Sequence, residues 1–216
     1  MVSLARPALG LSLLVWCGLV VLGMKILIDY DKRPGPEGLF KPYWPQETTL
    51  YRDPKRPTLV MAMHAGCSCS RASVEELAKI MSKVGPKLTA HILLLPTGIG
   101  KRYEEEALRS YIWKRGLETA GTQMHLDPEA REIRAFGALV SGTTLLFDNS
   151  GRLVFHGGIT ASRAHEGDNL GSEFIRNFAM GSTKQDIVGK TPVFGCHLFS
   201  SHNQDLHEEE HKSHVF

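Results

Sequence analysis

The chain has little of what most functional signatures require. Strong charge of either sign is missing: 25 Lys and Arg stand against 23 Asp and Glu, a net charge of +2. With no basic stripe, a nucleic-acid surface is excluded as the organising feature. Cysteine is scarce, with four in 216 residues, and the uneven placement rules out a disulfide scaffold. No phosphate-binding loop is present, because Gly98-x-Gly100-Lys101 lacks the first glycine at the required spacing and the Ser or Thr after the lysine. No Ser/His/Asp set or carboxylate pair emerges from spacing. Long apolar runs are absent except for one, at the amino end.

That run is free of charge from Ala8 to Met24, and its apolar character resumes after Lys25 through Ile28. About 20 apolar residues suffice for a membrane-spanning helix, and no convincing small-x-small cleavage site follows, Leu22-Gly23-Met24 being a poor one. Residues 1–28 therefore read as an uncleaved single-pass anchor, with Cys17 as a buried apolar thiol inside it. Charge does not set the orientation, since Arg6 lies on one side and Lys25, Lys32 and Arg33 on the other. Residues 29–57 hold Pro34, Pro36, Pro42, Pro45, Pro54 and Pro57, interleaved with Phe40, Tyr43, Trp44 and Tyr51. This density excludes a helix and predicts an extended tether, with the aromatics available for packing.

Residues 58–199 alternate. Thr58–Met63 reads as a buried strand, followed by a helix from Ser70 or Ser73 to about Lys83, with Ser73 to Glu76 as a capping box. Leu88–Leu95 is a second strand, and Glu104 to about Arg115 an amphipathic helix. A short strand at Met124–Leu126 precedes Asp127-Pro128, a helix start whose apolar face is Ala130, Ile133 and Phe136. Thr143–Phe147 and Arg152–His156 flank the turn residues Asp148-Asn149-Ser150-Gly151 as a hairpin, and Leu170, Phe174, Ile175 and Phe178 mark a last helix. The order β-α-β-α-β-α-β-β-α predicts an α/β fold, a central mixed sheet with helices on both faces. Residues 200–216 form a polar, His-rich tail; five of the ten histidines follow Cys196.

The most informative stretch is His64-Ala65-Gly66-Cys67-Ser68-Cys69-Ser70, where the first strand turns into a helix. Thiols at a helix start meet backbone N–H groups and the positive end of the helix dipole, and both favour the thiolate. Residues two apart on a helix point about 200° away from each other. Cys67 must then lie in the loop, and Cys69 at or just before the first turn. Two chemistries fit. In disulfide exchange Cys67 attacks and Cys69 resolves. In metal ligation His64, Cys67, Cys69 and Cys196 supply a soft set for Cu(I) or Zn(II). Cys196 offers a third arrangement, pairing with one of the other two thiols if their Cα atoms come within about 7 Å. Arg71 is placed to stabilise a thiolate, and Arg163, His165, Glu166 and Asp168 to line the site, with Asp168 also suited to capping the last helix.

The element order, the Cys pair at the first strand–helix turn and the late hairpin before a final helix resemble the thioredoxin fold over about residues 55–180. Asp127-Pro128 through Asp148 and Gly151 resembles the second half of membrane-tethered bacterial thioredoxin-like proteins of the TlpA and ResA type. His64–Ser73, Gly157–Arg163 and Thr191–Cys196 resemble a bacterial group labelled RedB-like. The resemblance implies a tethered thiol–disulfide oxidoreductase acting on protein thiols or disulfides, needing no cofactor, with its main domain on the extracytoplasmic, periplasmic side. It also shows two departures. A single residue, Ser68, separates the cysteines, and Thr143 stands where thioredoxins place a cis-proline. A cis bond there would cost about 3 kcal/mol, so a trans bond is expected. That proline helps keep metals off the cysteines, so its replacement favours the metal alternative, for which copper-delivery proteins of the Sco type are the nearest parallel.

Overall fold

The computed structural model describes residues 5–182 and 187–199. The chain divides into two compact units, Met1–Arg33 and Pro34–Phe216. In the first, α1 (Ala5–Asp31) is apolar around its whole circumference, and its Leu9–Asp31 stretch is long and apolar enough to cross a membrane. Cys17, expected as a buried thiol, is exposed on this helix.

The second unit is built on a six-stranded sheet, ordered β3-β2-β1-β4-β5-β6. β1 (Thr58–His64) lies at its centre, parallel to β2 (Thr89–Leu95) and antiparallel to β4 (Thr143–Phe147). β3 (Thr122–Leu126) extends the sheet beyond β2; β5 (Leu153–Gly157) pairs with β4 as a hairpin, and the two-residue β6 (Gly189–Lys190) closes the far edge. β1, β2 and β4 are buried on both faces, which is why they read as unbroken apolar runs rather than alternating ones.

One face packs on α2 (Ser68–Val84), α4 (Tyr111–Glu118) and α6 (Leu170–Ala179), through Leu77, Ile80, Ile112, Ile175 and Phe178 against Leu59, Met61 and Ile92. The other packs on α5 (Arg131–Ala135), through Ile133 and Phe136 against Val60, Leu93, Leu145 and Phe147. A mixed sheet covered by helices on both faces, with the Cys pair at the turn from the central strand into the next helix, is the thioredoxin-like fold that the resemblance implies.

Four local expectations are corrected. The helix after β1 starts at Ser68, so Ser73 lies inside it, where its hydroxyl donates back to the Cys69 carbonyl at 3.0 Å instead of forming a capping box. The helix expected over 104–115 is two, α3 (Lys101–Arg109) and α4, because Ser110 takes extended backbone and its hydroxyl caps α4 by accepting from the Trp113 N–H at 3.2 Å. Asp127 does act as a cap, accepting from the Arg131 and Ile133 N–H groups at 2.9 Å, but α5 begins only at Arg131 because Ala130 is left-handed. Asn169, not Asp168, caps α6.

The proline-rich segment, expected as a tether over 29–57, is helical to Asp31 and belongs to the folded unit from Pro34 onward. The Trp44 N–H donates to the Gly151 carbonyl at 2.8 Å, and the Trp44 ring meets Phe136 and Phe147 edge-on, centroids 5.1 Å apart. Of the interleaved aromatics Phe40 and Trp44 pack on the core and fix this extended chain, while Tyr43 and Tyr51 stay exposed. The His-rich tail, 200–216, lies outside the described residues.

Candidate functional site

Cys67 is the residue immediately before α2, with extended backbone, and Cys69 sits in the first helical turn, as the one-residue spacing requires. Both thiols are buried, at 4% exposure. Two serines hold this turn. The His64 N–H, at the end of β1, donates to the Ser141 hydroxyl at 3.0 Å and to the Ser70 hydroxyl at 3.3 Å, and the two hydroxyls share a hydrogen bond. Ser70 and Ser141 are fully buried. They tie the start of α2 to the loop that enters β4, where the bond before Thr143 is trans.

The third sulfur arrives from the far end of the chain. After β6, residues 191–199 form a strap across the end of the sheet. Thr191 donates through its hydroxyl to the Gly158 carbonyl at 2.7 Å. Further on, the Ser141 N–H donates to the Cys196 carbonyl at 2.8 Å and the Leu198 N–H to the Leu139 carbonyl at 3.0 Å, making an antiparallel bridge between Val140 and His197. Phe194 and Leu198 are buried on either side of Cys196. The strap runs so close to its neighbours that only glycine fits at Gly195, where a Cβ would lie 1.8 Å from the Ser141 carbonyl oxygen. The Arg163 guanidinium donates to the Gly195 carbonyl at 2.8 Å.

This seating puts the Cys196 sulfur 2.7 Å from that of Cys67. All three cysteines of the site are free thiols, and Cys196 alone of them is exposed. Their electrostatics diverge. The Cys67 thiol is pushed down to about 4, first by the hydrogen bond it accepts from Cys69, then by those from Cys196 and from the Ser70 and Cys196 N–H groups, all against the cost of burial. Cys69 is pushed up by donating that bond and by burial. Cys196 is pushed up to about 11, by burial and by its bond to Cys67, with Arg163 pulling the other way. One thiolate is thus held by two neutral thiols.

Of the residues expected to line the site, His64 stands at its edge, half-buried, its imidazole held below the ordinary range by burial while the Cys67 charge opposes that shift. Arg163 reaches the strap. Arg71 instead lies over the Tyr111 ring, 4.3 Å from its centroid, and Glu166 pairs with Lys79 at 2.8 Å. The metal alternative gains no support: among the described residues no group of three or more His, Cys, Asp or Glu side chains could hold a metal ion. Ser70 and Ser141 were not expected from the sequence. A serine hydroxyl buried between a strand end and a helix start leaves no periodic signal, and only their pairing in space shows their role.

No family model and no curated protein matches the chain. Solved structures do match in fold. A hypothetical protein from Sinorhizobium meliloti is 21% identical, with a TM-score of 0.51 over 68% of this chain and 81% of that one. An uncharacterized conserved protein from Geobacillus kaustophilus is 17% identical, with a TM-score of 0.54 over 79% and 92%. The exposed lipoprotein thioredoxin of Streptococcus pneumoniae is 17% identical, with a TM-score of 0.41 over 59% and 85%.

Proposed function

We propose that this chain is a membrane-tethered thiol–disulfide oxidoreductase in which Cys67, of the Cys67-x-Cys69 pair, is the reactive thiolate. The observation behind this reading is the stabilised Cys67 thiolate at the start of α2, fed by hydrogen bonds from Cys69, Cys196 and the Ser70 N–H. A depressed thiol at a helix N-terminus is both the better-populated nucleophile and the better leaving group in exchange. Its substrates are protein thiols or disulfides, and the chemistry needs no cofactor. The RedB-like resemblance belongs with this reading. Its three segments, His64–Ser73, Gly157–Arg163 and Thr191–Cys196, meet here through the Cys67–Cys196, Thr191–Gly158 and Arg163–Gly195 contacts.

In this reading α1 is the anchor and the sheet unit faces the extracytoplasmic, periplasmic side. Support comes from the length and hydropathy of Leu9–Asp31, sufficient to cross a membrane, and from a thiol centre suited to an oxidising compartment. Resistance of the full chain to alkaline extraction from membranes, together with digestion of the sheet unit by protease added to spheroplasts, is the expected result. Protection from that protease would reverse the orientation.

The catalytic claim is tested with the full chain in detergent, by following exchange with a small aromatic disulfide. Cys67→Ser is expected to lower the rate at least 100-fold. Exchange undiminished in that variant would refute the assignment.

A further inference from the structure

Cys67 has two candidate sulfur partners, and the Cys-x-Cys spacing draws attention to the wrong one. Cys69 lies in the first turn of α2 and donates its hydrogen bond to Cys67. A bond between residues two apart would also close a very small, strained ring. Cys196 lies 129 residues away in sequence but 2.7 Å away in space, less than an ångström beyond a disulfide bond of about 2.05 Å. Its approach is built rather than incidental. Two main-chain hydrogen bonds to residues 139–141, the buried side chains Phe194 and Leu198, the Arg163 contact and a glycine at 195 all fix the strap that carries it.

We propose that the working redox couple is a Cys67–Cys196 disulfide, entered by a target at the sulfur of Cys196, the exposed residue of the pair, with Cys69 as a positioning residue that supports the Cys67 thiolate and forms no disulfide in the cycle. This deepens the exchange reading above and rests on it. In the oxidised protein a target thiolate attacks Cys196 Sγ. The Cys67–Cys196 bond breaks, its electron pair leaves with Cys67 as the thiolate, and a target–Cys196 mixed disulfide forms. A second target thiolate then attacks the target's sulfur in that mixed disulfide. The target disulfide forms, and Cys196 leaves as a thiolate that takes up a proton. The target loses two electrons and the protein disulfide gains them. Run backwards, the same steps reduce a target disulfide, with Cys67 attacking the Cys196 sulfur of the mixed disulfide. The assignment of roles follows access and leaving ability. Cys196 is the exposed cysteine of the three, and the sulfur best able to depart is the one surrounded by hydrogen-bond donors.

Trypsin separates the alternatives. Cys67 and Cys69 share the peptide 56–71, because Arg56 precedes Pro57, whereas Cys196 falls in 191–212. The full chain in detergent is oxidised with oxidised glutathione, its remaining thiols are alkylated, and it is digested. The expected product is 56–71 crosslinked to 191–212, retained in Cys69→Ser and lost in Cys67→Ser and Cys196→Ser. Cys196→Ser should slow exchange with the small aromatic disulfide at least tenfold while thermal unfolding stays close to native. Gly195→Ala, which keeps the sulfur but crowds its seat, should slow crosslinking. In Cys69→Ala, which removes the donor, the pH midpoint of Cys67 alkylation should rise while the crosslink persists, which a purely structural role would not produce. A disulfide within 56–71, or exchange by Cys196→Ser within twofold of native, overturns the couple and leaves Cys67 exchange standing. A crosslink that no added thiol opens overturns both, since the bond is then a static staple.

Discussion

Two buried titratable groups, on elements one strand apart, handle charge in opposite ways. Cys67, just past the end of β1, is surrounded by donors and kept as an anion. His91, in the middle of β2, is fully buried and kept neutral, pushed down to about 4 by burial and then by the neighbouring His125. Its Nε2 lies 2.9 Å from the Tyr51 carbonyl oxygen, which can only accept. Nε2 therefore carries the proton, and Nδ1 accepts from Nε2 of His125, also 2.9 Å away. The two sites nonetheless agree in one respect: each binds a proton less readily than it would in the unfolded chain. What decides the charge at a buried site is the balance between burial and the partners supplied. At Cys67 thiol and N–H donors outweigh burial and favour the anion; at His91 burial and a second imidazole outweigh the Tyr51 carbonyl and the Glu132 charge, which favour the cation.

The parallel fails at once if Cys67 is not the group that reacts, so the loss of at least 100-fold in exchange expected for Cys67→Ser is its strongest test. Acid stability comes next. Both folded values are depressed, so in both cases the unfolded chain takes up protons first, and stability falls as pH drops. For His91 the window runs from its ordinary value of 6.5 down to about 4, worth roughly 3 kcal/mol. For Cys67 it runs from 9.0 down to about 4, and only in the reduced protein. Urea unfolding of the full chain should therefore show an acid slope in both redox states, steeper when reduced. His91→Phe should flatten the part below 6.5 without touching the redox difference. An identical profile in both redox states would remove Cys67 from the comparison, and an unchanged slope in His91→Phe would remove His91. A smaller effect is expected from Cys69→Ala, which should raise the midpoint of Cys67 alkylation by removing the first of its several donors. Smallest of all, Ser110→Ala, remote from both sites, should cost about 1 kcal/mol as a lost helix cap and alter neither slope. A change in either slope would mean that the two sites are not local.

How much of this could be read from the chain depends on how local each feature is. The strands β1, β2, β4 and β5 were legible as apolar runs with turn residues between them, and Cys67 and Cys69 as thiols at a strand–helix junction. The helix break at Ser110 was not, because one hydroxyl caps a helix only when the preceding chain turns aside, and the apolar periodicity runs straight through it. Nor was the docking of residues 34–57: a proline-rich segment reads as a tether until a surface exists for Trp44 to meet. Cys196 was legible as a candidate metal ligand or as a pairing partner for one of the other two thiols, without a choice between them. Its partner was hidden because the strap is placed by main-chain bonds to residues 139–141 and by the absence of a side chain at Gly195, neither of which leaves a pattern within the strap itself.

The distance along the chain between the two close sulfurs has a consequence in time. A ribosome adding about 5–20 residues each second needs on the order of ten seconds to pass from Cys67 to Cys196, 129 residues later. For that interval Cys67 has been made and its permanent neighbour has not, and the only thiol built close to it is Cys69. A newborn chain is therefore open to a wrong pairing that the finished one forbids, and the strap, made well after Cys69, is the piece that ends the exposure.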